Sequence, residues 1–325
     1  MYFDPSLEDT EEPRLVRVWY ATNRKVNEKG EYTTIRDNLN TFGHMDIPLE
    51  VAQHHSPKKS SKKSLQTVTR EANAFFDELA ECLAHYSDLG ITPQVLVALH
   101  DYKVDFMESL MEAGHWHEDL KVPGPTIVYS WPSIGKAGSY EPDCATIERS
   151  EPEIFDFLTK VSPLCGSTNV NIVSNGAACH GLMRVLQRMS SNQVELTLGQ
   201  IFLLAPDIDR EVFIDLSWLF PKYSTRTTMY VSKVDRDALK SVKRHKAPRA
   251  GIFKPLTIVD NIDTVAIANL ETNDLHDEKK SQSYEIVTLF YDMYDLMKSN
   301  ASPQQRLHLS SDVDNGKMYW RLRKL

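Results

Sequence analysis

The stretch Asn169-Val170-Asn171-Ile172-Val173-Ser174-Asn175-Gly176-Ala177-Ala178-Cys179 decides the fold class of this 325-residue chain. Residues 170–173, which are apolar apart from Asn171, predict a strand, and residues 181–189 lie in the helix that follows. Between them the chain passes through a tight turn at Gly176. The stretch therefore predicts a strand–turn–helix unit, the building block of a parallel sheet.

The same alternation of strand and helix continues along the rest of the chain. The short apolar run at residues 95–99 is typical of a strand buried on both faces. The predicted strands are residues 15–20, 95–99, 126–131, 170–173, 201–205, 227–232 and 258–260 with 264–267, and the predicted helices are residues 68–86, 104–120, 147–161, 181–189 and 283–298. The pattern predicts an α/β fold with one mostly parallel, doubly wound sheet of about eight strands.

Composition narrows the class of protein. A net charge of −8 argues against general affinity for nucleic acid or an anionic membrane surface. The four cysteines are scattered, without a CxxC pair or metal-ligand spacing, so we expect free thiols in a reducing compartment and no metal or other cofactor. Residues 1–13 are acidic and lack the apolar segment of a signal peptide, and no apolar run approaches the roughly 20 residues that span a bilayer. A cytoplasmic protein is therefore expected.

Two segments fall outside the alternating pattern. The basic, serine-rich run at residues 54–63 predicts a solvated loop, with a contact to phosphate or an acidic partner as the alternative. The C-terminal extension at residues 310–325 carries Tyr319 and Trp320, which we expect to dock on the domain because exposed aromatic surface is costly; binding a partner is the alternative. Since no repeat or low-complexity linker is present, residues 1–325 are expected to form a single domain.

Several short motifs carry a family resemblance. They read VWYATNR at residues 18–24, LHDYK at 99–103, YSWPSIG at 129–135, YEPD at 140–143, LLAPDID at 203–209 and RAG at 249–251. In their order and spacing they resemble an uncharacterised, mostly bacterial branch of the α/β-hydrolase superfamily, from about residue 18 to about residue 320. The resemblance implies the α/β-hydrolase fold, but activity depends on the site residues themselves.

The resemblance places Gly176 where the family carries its nucleophile. The G-x-S-x-G-type elbow of this branch reads AHSMG, whereas residues 174–178 read SNGAA, so the elbow has no nucleophilic side chain. The helix at residues 182–186 sets this alignment. The alternative register puts Ser174 at the nucleophile position and rotates the apolar face of the helix by about 200°. Cys179 is expected to be a packed thiol.

The turn that helps to bind the oxyanion also departs from the family pattern. The family's HGYN is His100-Asp101-Tyr102-Lys103 in this chain. Asp101 replaces a glycine, and its carboxylate has the wrong charge beside a site that must stabilise a developing oxyanion. His100, Asp101 and the backbone of Ala177 are therefore the oxyanion-turn positions implied by the resemblance.

The acid and base positions complete the comparison. Asp235 follows a predicted strand where the family carries its acid; Asp237 competes for this role, and Asp235 also fits a helix cap before residue 238. The family's histidine is Gln282 here, and an amide does not titrate, so it is not a general base. His276 is the nearest histidine upstream, and it also fits an exposed loop histidine.

These departures predict a non-catalytic protein, a degenerate α/β-hydrolase that acts as a binding, scaffold or regulatory subunit. The expected partner is another protein or a larger assembly, with room for a small-molecule ligand in the vestigial pocket and no role for nucleic acid or a membrane. The alternative is an active hydrolase with a rebuilt site. Its candidate residues are Ser174, Cys179 or Ser133 as nucleophile, with His276 or His180 as base. Asp207 and Asp209 are expected to accept hydrogen bonds from backbone amides of their own turn.

Overall fold

The computed structural model of the chain describes residues 15–49, 65–269, 271–275 and 283–323. The basic run at residues 54–63, His276 and Gln282 lie outside the described residues. The strands are β1 (Leu15–Val26), β2 (Tyr32–Pro48), β3 (Thr67–Arg70), β4 (Val95–Leu99), β5 (Thr126–Tyr129), β6 (Val170–Asn175), β7 (Leu198–Leu204), β8 (Ser224–Ser232), β9 (Asp263–Ile267), β10 (Leu309–Asp314) and β11 (Lys317–Leu322). The helices are α1 (Ala72–Asp88), α2 (Phe106–Leu120), α3 (Tyr140–Arg149), α4 (Glu151–Val161), α5 (Ala178–Ser191), α6 (Arg210–Leu216), α7 (Leu219–Tyr223), α8 (Arg236–His245) and α9 (Tyr284–Ser299).

All these strands belong to one sheet of 11 strands, in the order β10-β11-β9-β8-β7-β6-β4-β5-β1-β2-β3. The run from β11 to β1 is parallel throughout, and β2, β3 and β10 add to it antiparallel. The prediction of a mostly parallel, doubly wound sheet is confirmed. The predicted strands correspond to β1 and β4 to β9, although residues 258–260 lie outside β9. The outer strands β2, β3, β10 and β11 were missed because their side chains are largely polar or half-exposed.

Two predicted helices differ from the structure. Residues 68–86 are not one helix, because Val68 lies in β3 and the helix begins only at Ala72. Residues 147–161 belong to two helices, α3 and α4, which meet at Ser150. The proline at position 152 explains the break, since it has no N–H to continue the hydrogen-bond ladder of α3.

Helices cover both faces of the sheet. Neighbouring residues of β6 point to opposite sides: Ile172 joins the apolar cluster beneath α5, and Val173 joins the cluster beneath α9. With both faces covered, the loops at the carboxyl ends of the strands are where a ligand gains access.

The C-terminal hairpin of β10 and β11 continues the sheet. Trp320 and Arg321 pair with Val265 and Ala266 of β9, and Tyr319 is buried. The aromatic residues of this segment therefore dock on the sheet. Among the described residues, no helix combines the length and the apolar character needed to cross a membrane.

Candidate active site

The turn at Gly176 has the geometry of a strand-to-helix elbow. β6 ends at Asn175, Gly176 has a φ of +51°, and α5 begins at Ala178. The Gly176 N–H donates to the carbonyl of Leu204 at 3.0 Å, and the Gly176 carbonyl accepts from the Asp207 N–H at 3.0 Å. These two bonds fix the turn to the end of β7.

The space above Gly176 is filled by Asp101. A Cβ atom built on Gly176 would lie 2.3 Å from both carboxylate oxygens of Asp101, far inside van der Waals contact. No side chain fits at position 176 while Asp101 keeps this conformation. The glycine and the aspartate are therefore sterically complementary.

The Asp101 carboxylate also binds two backbone amides of the turn. Its Oδ1 accepts hydrogen bonds from the Ala177 N–H at 2.8 Å and the Tyr102 N–H at 2.7 Å. In α/β-hydrolases an oxyanion hole is built from the N–H after the nucleophile and an N–H of the loop after a neighbouring strand. The family resemblance implies that the amides of Ala177 and Tyr102 correspond to these groups, and in this chain they are bound by the Asp101 side chain, which is only 6% exposed.

Burial governs the ionisation of this carboxyl group. Desolvation raises the pKa of Asp101 well above its usual range, and the negative charges of Asp207 and Asp235 act in the same direction. The two backbone amides oppose this shift because they favour the charged form.

His100 is enclosed beneath the turn and has no base-like character. Its ring stacks on Trp131, with centroids 4.9 Å apart and planes 7° apart, and its Nδ1 donates to the Asp101 carbonyl at 2.8 Å. Burial, with the charge of Arg24 as a second cause, lowers the pKa of His100 to about 3. The imidazole is therefore neutral at pH 7, and its role is to support the turn.

Asp235 binds backbone at both of its carboxylate oxygens. Oδ1 caps α8 by accepting from the Ala238 N–H at 2.8 Å, and Oδ2 accepts from the N–H and hydroxyl of Thr272 at 2.9 and 2.7 Å. The carboxylate thus holds the segment that follows β9. The competing residue Asp237 forms ion pairs with Lys103 and Lys240.

The fallback nucleophiles are buried and not activated. Ser174 and Cys179 are both 0% exposed, and the Cys179 thiol donates to the Ser174 carbonyl at 3.2 Å. Desolvation raises the pKa of Cys179 far above neutrality, which disfavours the thiolate. Ser133 is also buried and donates to Asp143 at 2.8 Å. His180 lies 3.4 Å from Glu148, and burial lowers its pKa.

A cavity of about 210 Å³, lined by both polar and apolar side chains, adjoins the elbow on the side of Ala177. Asp207 lines this cavity. Its Oδ1 accepts hydrogen bonds from the Ser241 hydroxyl at 2.6 Å and from Arg249 Nε at 2.5 Å, and its Oδ2 accepts one from the Tyr140 hydroxyl at 2.7 Å. The expectation that Asp207 bonds its own turn was wrong, because these partners are 34, 42 and 67 residues away.

Asp209 does bond its own turn, since it caps α6 through the amides of Glu211 and Val212. Tyr140 and Arg249 were not predicted as site residues. The only signals for them were the YEPD and RAG motifs, which begin with these residues. Within the described ranges, no cluster of three or more His, Cys, Asp or Glu side chains is placed to hold a metal ion.

Comparison with known proteins identifies the family of this chain. The family model "Alpha/beta hydrolase of unknown function (DUF900)" matches residues 80–290. A search of curated proteins finds no match. Similar solved structures include the α/β hydrolase LAE6 from the metagenome of Lake Arreo, Spain, in mutant form (TM-score 0.42, 9% identity, covering 91% of this chain and 84% of that one). Another is carboxyl esterase 2 of the mycorrhizal fungus Tuber melanosporum (TM-score 0.42, 10% identity, covering 90% and 88%).

Proposed function

Because this chain belongs to the DUF900 family of α/β hydrolases of unknown function, we propose that it is a non-catalytic member of that fold, acting as a binding or regulatory subunit. The observation that carries this proposal is the Asp101 carboxylate. It fills the space of a side chain at position 176 and accepts both amides that would bind an oxyanion.

Three requirements of acyl transfer are affected at once. Gly176 offers no atom to attack a carbonyl, and Asp101 places an acceptor where a donor-lined hole is needed. Gln282 does not titrate, so a water molecule has no general base at that position. Because nucleophile, base and oxyanion hole act as a unit, losing all of them removes the parent mechanism.

The cavity beside Ala177 supports a binding role. This cavity lies next to the elbow and has a volume of about 210 Å³. Tyr140, His180 and Arg249 contribute polar groups to its lining. We propose that a small molecule occupies it and that the physiological partner is another protein in the cytoplasm. Neither role needs the chemistry that the elbow lacks.

The direct test is a hydrolase screen on the full chain. We expect no labelling by a fluorophosphonate probe and no ester, lipid or peptide turnover above that of heat-denatured protein. The variants Ser174→Ala, Cys179→Ala and His276→Ala serve as controls. Turnover that one of these substitutions abolishes would overturn the proposal and identify the rebuilt nucleophile or base.

A gain-of-function pair tests the role of Asp101. We compare Gly176→Ser/Gln282→His with the same variant carrying Asp101→Gly in addition. The triple variant should react with the fluorophosphonate at least about a hundredfold faster than the double variant, because only it frees the two amides for an oxyanion. Equal reactivity of the two folded variants would show that Asp101 does not block the site.

A further inference from the structure

A second cavity lies away from the elbow. It has a volume of about 570 Å³ and lies between the end of β8, the segment at residues 252–254 and the C-terminal hairpin. This volume is within the range of small-molecule sites, roughly 300–1,000 Å³. Neither Gly176 nor Asp101 lines it. We call it the hairpin cleft.

The position of the hairpin cleft is favourable for a ligand. Ser232, the last residue of β8, forms part of its floor, so the cleft opens beyond the carboxyl end of a central parallel strand. Ligands of open α/β sheets bind at this end. Asp312 and Tyr319, from β10 and β11, form the opposite wall. The cleft therefore exists because the hairpin extends the sheet.

The charge of the hairpin cleft favours an anion. Lys233 and Lys254 line it, and neither makes an ion pair with an acidic residue of the described ranges. The Lys233 ammonium lies 4.2 Å from the centre of the Phe253 ring, a cation–π contact that holds it at the cleft. Arg321 is neutralised by Asp312, which leaves Asp314 as the remaining acid of the lining. Positive charge is thus in excess here, although the chain as a whole carries −8.

Beside its charged groups, the lining of the hairpin cleft has an apolar and aromatic part. Phe253 and Tyr319 lie with their ring centroids 6.1 Å apart at 68°, and Leu239 and Ile252 extend the apolar surface. An inorganic ion would leave this surface in contact with water. A ligand with a flat or aliphatic body would cover it.

We propose that the hairpin cleft binds a small organic anion with one carboxylate or phosphate group on an apolar body. The ammonium groups of Lys233 and Lys254 bind the anionic group, and Phe253 and Leu239 contact the body. Because the hairpin cleft is separate from the elbow, ligand binding there does not depend on whether the chain is a hydrolase.

The test uses benzoate and phenyl phosphate as probes, titrated calorimetrically into the full chain at low ionic strength. Saturable 1:1 binding of at least one probe is expected, and the tighter of the two identifies the anionic group. Benzyl alcohol, which has the ring without the charge, should not saturate. Failure of both anions to saturate at millimolar concentration, or equal binding of the alcohol, would overturn the proposal.

Two variants locate the site. Lys233→Gln/Lys254→Gln should weaken the tighter probe by about tenfold, since both charge-assisted contacts are lost. Lys29→Gln/Lys243→Gln removes the same charge from exposed positions elsewhere and should leave the affinity unchanged. Phe253→Leu, which keeps both lysines, should weaken binding by about fivefold. Equal weakening by the control pair, or full affinity in the cleft pair, would place binding elsewhere.

Discussion

At the scale of single residues, Gly176 and Asp101 have to be considered together. Position 176 has no space for a Cβ atom, because the Asp101 carboxylate lies where that atom would be. Asp101 in turn is held by amides whose positions depend on the turn at Gly176. A buried donor that loses its acceptor lowers the stability of the folded state, so substituting either residue alone should destabilise the protein.

This complementarity predicts strong coupling in a double-mutant cycle. Gly176→Ser alone should destabilise the protein by about 2–4 kcal/mol through steric overlap, and Asp101→Gly alone by about 1–3 kcal/mol through unpaired amides. The double variant should cost less than the sum by roughly 1–3 kcal/mol, because the serine occupies the vacated space. Urea unfolding measures all four proteins. Gly138→Ser is the control, since nothing lies within 4 Å of its Cβ position.

Glu112 predicts a pH dependence of stability. Desolvation raises the pKa of this carboxyl group from 4.5 to about 8. The negative charges of Glu108, Asp101 and Asp105 add to the shift, and the positive charge of Lys103 opposes it. The folded state then holds a proton that the unfolded state has lost, so this contribution is fully present below pH 4.5 and disappears as the pH rises to about 8.

The test is Glu112→Gln. The wild type should lose up to about 1.4 kcal/mol per pH unit in this window, and the variant should show a flatter curve. Urea unfolding from pH 5 to 8 gives both curves. Glu81→Gln, on the exposed side of α1, is the control and should leave the slope unchanged. Parallel curves for wild type and Glu112→Gln would show that Glu112 does not hold this proton.

At the scale of elements, the ATNR motif at the end of β1 supports the loop that follows β5. Arg24 is buried, and its guanidinium donates to the Ser130 hydroxyl at 3.1 Å, the Ser133 carbonyl at 3.0 Å and the Val104 carbonyl at 3.3 Å. It therefore joins the SWPS motif to the start of α2. Both motifs therefore have a structural role that does not depend on catalysis.

The C-terminal hairpin depends on an internal ion pair just before it. Arg306 is buried and donates through Nε to Asp292 of α9 at 2.8 Å, and it also contacts Asp263 of β9 at 3.2 Å. Arg306→Ala should cost about 3–5 kcal/mol, because it leaves the Asp292 carboxylate buried without its partner. Chemical denaturation measures the loss. Arg323→Ala, at an exposed position after β11, should change stability by less than about 0.5 kcal/mol.

At the scale of the whole molecule, one sheet connects β1 near the start of the chain with β11 near its end. Strands paired in one sheet and covered by common helices lose their packing together. We therefore expect a single cooperative unfolding transition, with equal midpoints by circular dichroism and tryptophan fluorescence. Two separated midpoints would indicate two domains instead.

The sequence by itself determined the order of the central strands β1 and β4 to β9, and the family resemblance placed a glycine where the family carries its nucleophile. Apolar runs such as residues 95–99 report local burial, and a glycine has no side chain whatever its surroundings. The outer strands β2, β3, β10 and β11 gave no such signal, because a half-exposed strand carries polar residues on its open side.

Only the tertiary structure decided which side chain contacts the turn at Gly176 and where the cavities for a ligand lie. Asp101 and Ala177 are 76 residues apart, and Asp207 and Arg249 are 42 apart. The hairpin cleft likewise joins Lys233 to Tyr319. Such contacts depend on which loops the sheet brings to the same edge, and that placement follows from the packing of the whole chain rather than from any local pattern.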